Sequence, residues 1–332
     1  MPTIVIKNVP TEVDVESELR EFEWTRPTWT GDKLLAASPF RYDKSPSFFV
    51  RLEPYGEYPA GVWSDSGYYD AEWASGNFVK LLAFMRQETY EEAEDYLAEK
   101  YGVAETGDGL RLKPLHLKTQ RTRQPLKETV LQGEAQPSDY LIRRGISAET
   151  QAYYGVRDCK SAVEIPWRRA NGLLANVKYR SKYGKTFWYV KGADPIKNSL
   201  WGVDIVYSRR AKRAVLAEAE IDAMSWREAG FEAIACGGAE WSQAKRDLIL
   251  RSPIEELIIA TDNDKAGEKL RRAVESSLIG KVAIRHARIT EGGCKDANEA
   301  LVSGGPKAGV AVLQQAVEQS EQVRSLTYFR SR

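Results

Sequence analysis

Ala214-Val-Leu-Ala-Glu-Ala-Glu-Ile-Asp222 and Glu256-Leu-Ile-Ile-Ala-Thr-Asp-Asn-Asp-Lys-Ala-Gly267 are the two stretches that decide the fold. Each opens on a short apolar run that reads as a buried strand, turns acidic, and passes into a helical pattern. Between them a helix over 220–229 ends at Gly230, Ala233-Ile-Ala-Cys236 forms a second strand, Gly237-Gly238 turns the chain, and 241–250 is helical. Beyond them lie a helix over 266–278 and a fourth strand, Val282-Ala-Ile284. Strands alternating with helices predict an α/β domain with a parallel sheet.

Ligands of such sheets bind beyond the carboxyl ends of the strands. Glu218 follows the first strand, with Asp222 four residues on. Asp262 and Asp264 follow the third, and Asp296 follows the fourth and its Gly292-Gly293 turn. Two aspartates at i and i+2 aim two hard oxygen ligands at one ion, the chemistry of Mg²⁺ or Mn²⁺. Converging carboxylates repel unless a cation sits among them. Nucleotidyl transfer needs such ions to assist the attacking hydroxyl and to neutralise a triphosphate. Taken singly, each acid reads equally well as a helix cap, Asp264 before Lys265-Ala-Gly267 above all; the set at successive strand ends argues for a site.

Outward from this core, 332 residues predict more than one domain. Lys plus Arg number 48 and Asp plus Glu 47, so the whole chain is no polycation. Cations nevertheless crowd between Arg157 and Lys191, among them Arg168, Lys178, Arg180 and Lys185, interleaved with Trp167, Tyr179, Trp188 and Tyr189. Lys178 and Arg180 share one strand face, suited to phosphates, while aromatic rings stack on bases; a solvated sheet face over packed aromatics is the equally good alternative. The three cysteines are widely spaced and form no CxxC pair, and there are two histidines, an inventory that argues against a four-ligand zinc site. No apolar run reaches membrane-spanning length, and Met1-Pro-Thr-Ile-Val5 lacks a signal-peptide pattern, so the expected location is the cytoplasm. No GxxxxGK[ST] loop occurs, which excludes a P-loop ATPase from this chain.

The expected domains are a small α+β unit over 1–102, a polar linker over 103–136, a basic β-rich subdomain over 137–213, the parallel-sheet subdomain over 214–303 and a helical tail over 304–332. In the first, Thr3–Lys7, Phe48–Leu52 and Gly61–Trp63 read as strands, and Asn77–Met85 and Tyr90–Tyr101 as helices.

Leu216-Ala-Glu-Ala-Glu-Ile-Asp222, Cys236-Gly-Gly-Ala239, Ala260-Thr-Asp-Asn-Asp-Lys-Ala-Gly267 and Cys294-Lys-Asp-Ala-Asn-Glu299, in this order, resemble the TOPRIM domain. The likeness is greatest to the primase half of phage primase–helicases and to bacterial replicative primases. The resemblance implies that Glu218 is the catalytic glutamate, that Asp262 and Asp264 are the metal-binding pair, and that Asp222 and Asp296 surround the ions, of which two are expected. Ala219 departs from the family's usual glycine. Lys178, Arg180 and Lys185, with Arg168 and Lys191 nearby, would contact template or incoming nucleotide.

Ser38-Pro-Phe-Arg-Tyr-Asp-Lys-Ser-Pro-Ser-Phe48 resembles the primase zinc-ribbon signature, with Ser38 and Arg41 where a cysteine and a histidine are expected and Ser64, Asp65 and Ser66 near the second pair. The implied module keeps its fold without zinc through a core of Phe40, Phe48, Trp63 and Phe78, and meets template phosphates through Arg41, Lys44 and Arg51. The resemblance thus implies a primase making RNA primers on single-stranded DNA from ribonucleoside triphosphates, with a replicative helicase acting in trans; the tail reads equally well as a linker helix that docks this helicase and as a terminal helix packed on the domain. A TOPRIM nuclease and a non-catalytic single-stranded-DNA-binding replisome subunit are the rival readings.

Overall fold

The computed structural model describes residues 1–43, 45–68, 71–102, 104–105, 111–112, 123–238, 240–289 and 293–323. Lys44, Gly292 and most of the expected linker before residue 123 lie outside the described residues. The chain divides into two compact units: Met1–Arg123 with Arg180–Gly192, and Gln124–Tyr179 with Ala193–Arg332.

The first unit carries a five-stranded antiparallel sheet in the order Thr28–Trp29, Lys33–Ala36, Phe48–Arg51, Trp63–Asp65, Ser75–Gly76. The strand expected from Gly61 starts instead at Trp63. Gly61 turns at φ +80 against Phe78, where a Cβ would overlap the ring, so the chain enters the strand only past that corner. Helix Phe78–Arg86 is capped by Asn77, whose side chain accepts from the Lys80 amide at 2.9 Å. Helix Tyr90–Tyr101 starts in a reciprocal Thr89–Glu92 capping box. Phe40, Phe48, Trp63 and Phe78 are buried in one cluster, with the Phe40 ring 4.7 Å from Trp63 and 5.5 Å from Phe48. The returning segment Arg180–Gly192 completes this core. The Lys185 amide donates to the Phe40 carbonyl at 2.7 Å, Tyr68 and Thr186 hydroxyls meet at 3.1 Å, and Phe187 stacks on Phe84 at 5.1 Å.

In the second unit, strand Ala162–Arg168 pairs antiparallel with Arg157–Asp158. The α/β part follows as β1 (Arg213–Ala217), α1 (Glu220–Glu228), β2 (Ala233–Ala235), α2 (Gln243–Arg251), β3 (Glu256–Ile259), α3 (Lys265–Leu278), β4 (Ala283–His286), α4 (Ala297–Ser303), α5 (Gly305–Glu318) and β5 (Glu321–Gln322). The sheet order is β2-β1-β3-β4-β5, with the first four strands parallel. Leu216, Ile234, Leu257 and Ile259 meet Leu270 and Val274 of α3 in its core. β1 and β3 are near-continuous apolar runs because helices cover both sheet faces. The sequence reading missed β5, which adds antiparallel to β4; two polar residues carry no period, and only their pairing specifies a strand.

Candidate metal centre

β1 and β3 are parallel neighbours with Leu216 opposite Ile259, and the Ala260 amide donates to the Leu216 carbonyl at 2.9 Å. The chain past β1, carrying Glu218, therefore emerges at the same sheet edge as the chain past β3, carrying Asp262 and Asp264. The Glu218 carbonyl accepts from the Gly237 and Gly238 amides at 2.9 and 3.2 Å. Gly237 sits at φ +76, where a Cβ would overlap Trp167, so no other residue fits this clamp. Ala219 lies at φ −117 and ψ 162, ordinary extended backbone, and its methyl group causes no strain.

Asp264 is the N-cap of α3, with Oδ1 accepting from the Gly267 amide at 2.9 Å; it caps and faces the site at once. A Cβ on Gly267 would overlap the Asp262 carbonyl, so the first turn of α3 can press on the acidic turn only through glycine. Asp296 caps α4 through the Glu299 amide at 2.7 Å. Asp222 is buried and accepts from the Asn298 amide at 3.1 Å.

Two residues without an assigned role emerge. Asn263 ties the turn to the next loop, its amide donating to the Lys295 carbonyl at 2.9 Å and its side chain to the Ile289 carbonyl at 2.8 Å. Lys295 sets its ammonium 2.9 Å from Asp264 Oδ2 and 3.5 Å from Asp262 Oδ2. Both lie inside motif blocks already quoted, but only folding brings residues 263 and 295 together.

The electrostatics are those of crowded anions. Burial first, then Asp262 and Asp264, push the Glu218 carboxyl up to about 8. Burial and the charges of Asp296 and Asp264, partly offset by Lys295, push Asp262 to about 6. Asp222 is raised well above the usual range by burial and then by Asp296 and Asp262. Burial works against Asp264 too, but the Gly267 amide and then Lys295 hold it below its ordinary value.

The donor set fits a divalent ion in chemistry. All the acidic ligands are oxygen donors, Glu218 Oε2 is buried with no hydrogen-bond partner, and the cation now present is the 56% exposed side chain of Lys295. Among the described residues no three acidic, imidazole or thiol groups already converge into a metal cage, so an ion would have to draw these side chains inward.

The expected nucleic-acid residues fare differently. Lys178 is buried, not on an open face: its ammonium meets Glu220 Oε2 at 2.9 Å, and Glu220 Oε1 accepts from Trp167 Nε1 at 3.1 Å. Strand alternation gave its side but not its depth, because its partner lies on α1. Arg168 pairs with Glu128 through two bonds of 2.5 and 2.9 Å. Arg180 donates to the Lys185 carbonyl. Lys185 stands 4.7 Å over the Tyr42 ring, and Lys191 is exposed. Arg51 pairs with Asp32 at 3.3 Å and covers the Tyr55 ring at 4.3 Å. Arg41 contacts Asp43 and Asp65 at 3.1 Å each and Ser47 at 2.6 Å.

Residues 215–301 match the Toprim-like family model, a domain type that uses divalent metal ions. The DNA primase of Thermotoga maritima is 25% identical over 320 aligned residues, which cover 80% of this chain and 54% of that protein; the chain thus spans about half the length of the curated relative it matches. Among solved structures, the zinc-binding and RNA polymerase domains of the Aquifex aeolicus primase align with 16% identity and a TM-score of 0.46, covering 94% of this chain and 84% of that one. The primase fragment of the bacteriophage T7 primase-helicase aligns with 22% identity and a TM-score of 0.45, covering 65% and 93%.

Proposed function

We propose that this chain is a DNA primase that makes short RNA primers on single-stranded DNA by nucleotidyl transfer dependent on Mg²⁺ or Mn²⁺. The observation that carries the reading is the juxtaposition of Glu218 with Asp262 and Asp264 at the ends of adjacent parallel strands, inside the Toprim-like stretch. Glu218, Asp262 and Asp264 would hold the ions, two in number, with Asp222 and Asp296 adding negative charge around them. When bound, the ions assist the 3′-hydroxyl and neutralise the triphosphate. The protein's own part is positioning. The Gly237–Gly238 amides fix the Glu218 backbone, Asn263 fixes the turn, and Lys178 anchors the start of α1 through Glu220.

Template contact falls to cations beside exposed rings, Lys185 with Tyr42 and Arg51 with Tyr55, the pairing that suits single-stranded nucleic acid; Arg180, Lys191, Arg168 and Lys44 add charge. The 1–102 region is a zinc-ribbon relative that dispenses with zinc. Arg41 there joins Asp43, Ser47 and buried Asp65, so an ion-pair network ties together the positions where metal ligands are expected. A replicative helicase acting in trans is the partner this reading assigns. No helix among the described residues is long and apolar enough to cross a membrane.

One observation favours a second reading, a non-catalytic single-stranded-DNA-binding subunit: Lys295 already supplies a cation to Asp262 and Asp264. A single assay separates the two. Purified protein is incubated with single-stranded DNA, labelled ribonucleoside triphosphates and Mg²⁺ or Mn²⁺. Template-dependent oligoribonucleotides that disappear in Asp262→Asn support the primase. DNA binding without product in the unaltered protein sinks it, and shortened template would indicate a nuclease.

A further inference from the structure

A cavity of about 820 Å³ opens on the β4 side of the acidic turn, away from β1 and Glu218. Its wall is cationic. Lys265, Lys269 and Arg272 recur at i, i+4 and i+7 along one face of α3, and Arg271 and Arg288 join them. Glu268 is the counter-charge at the centre, and three guanidinium groups share it: Arg271 at 2.6 Å, Arg272 at 3.1 Å and Arg288 at 3.2 Å. The other acids on the wall, Asp262 and Asp264, already face Lys295. Positive charge is therefore in excess here.

Arg271 makes the case specific. It is 2% exposed, and its Nε is buried with no hydrogen-bond partner. Burial and then the charge of Arg288 hold its guanidinium below the ordinary arginine range. Its other nitrogens reach Glu268 at 2.6 Å and the Thr261 carbonyl at 3.3 Å, but that one carboxylate is shared among three guanidinium groups and the buried Nε has no acceptor, so the cluster has room for a further anion. Guanidinium groups bind phosphate oxygens two at a time, and a cluster of them selects a compact multivalent anion over a single charge.

We infer that this cavity is a metal-independent binding site for a pyrophosphate group, held by Arg271, Arg272, Arg288 and Lys269. Its charge and its unpaired donor make the case without reference to catalysis; only its use during synthesis rests on the primase reading. The group has two sources, free pyrophosphate, which nucleotidyl transfer releases, and the tail of a nucleoside triphosphate.

The test is calorimetric titration of the full chain with inorganic pyrophosphate in EDTA, repeated with orthophosphate and with ATP. Pyrophosphate is expected to bind, and to bind about tenfold or more weakly to Lys269→Glu/Arg272→Glu and to Arg288→Glu. These positions are solvent-facing, so the fold is kept: the Arg272 and Arg288 side chains are 78% and 53% exposed. Asp262→Asn, which removes a negative charge from the wall, should bind at least as tightly. Competition by ATP identifies the nucleotide tail as the source, and pyrophosphate binding without competition identifies the free anion. No binding in EDTA, equal binding of orthophosphate, or affinity unchanged by both charge reversals overturns the inference. A protein that binds pyrophosphate in EDTA yet makes no primers would keep this site and lose the primase.

Discussion

At the scale of single residues, the site depends on backbone close approach as much as on charge. Gly267 admits the Asp262 carbonyl where any side chain would collide. On the primase reading, Gly267→Ala is expected to cut primer synthesis by about a hundredfold while leaving secondary structure intact, because a shift of about 1 Å in the acidic turn would misplace Asp262 and Asp264; normal activity with circular dichroism unchanged would refute this. Lys178 and Glu220 form a buried pair. Lys178→Met should cost about 3 kcal/mol in urea unfolding by stranding a buried carboxylate, and Lys178→Met/Glu220→Gln should recover most of it. Equal losses in the single and double variants would assign the cost to packing. The acidic positions were legible in sequence because strand ends mark themselves by a change from apolar to charged. Lys295 and the burial of Lys178 were not, because each is defined by a partner distant in the chain, and period reports the side a residue faces rather than what waits there.

Among the elements, the run from β1 to β4 of the α/β part could be read to within two residues, since helices on both faces leave its strands as unbroken apolar runs; α4 (Ala297–Ser303) was not foreseen. The strands Thr28–Trp29 and Glu321–Gln322, two residues each, are too short to show a period. The Arg41 network is an element-scale device. It joins the loop before strand Phe48–Arg51 to the end of strand Trp63–Asp65. Arg41→Ala should destabilise the first unit by about 3 kcal/mol, since Asp65 is 1% exposed and loses its cation. Its acid response follows from Asp43. Burial opposes ionisation there, but hydrogen bonds from Ser47, Ser38 and Ser45, then Arg41, hold the carboxyl below 3.8. A depressed carboxylate contributes stability that is present above 3.8 and is lost as pH falls through the lower folded value. Asp43→Asn should flatten that acid limb of the melting curve; an unchanged limb would remove Asp43 from the account.

For the whole molecule, two compact units predict two thermal transitions rather than one. Divalent metal should raise only the transition that Asp262→Asn disturbs. At a free Mn²⁺ concentration a hundredfold above its Kd the gain is about 2.7 kcal/mol, and EDTA should abolish it. Arg41→Ala should lower only the other transition. A single cooperative melt in calorimetry, displaced equally by both variants, would contradict this division.

The first unit is assembled from two separated lengths of chain, and this bears on its birth at the ribosome. Phe84 and Tyr68 find Phe187 and Thr186 only after translation has run on from residue 123 to residue 192. Those intervening 69 residues (192 − 123) take roughly 3–14 s to make at ordinary elongation speeds. The nascent amino-terminal part waits that long with one side of its aromatic core uncovered, which makes it a client for chaperones. A gene fragment stopped at codon 123 should accordingly yield insoluble product, while the same fragment co-expressed with residues 180–192 should yield more in solution.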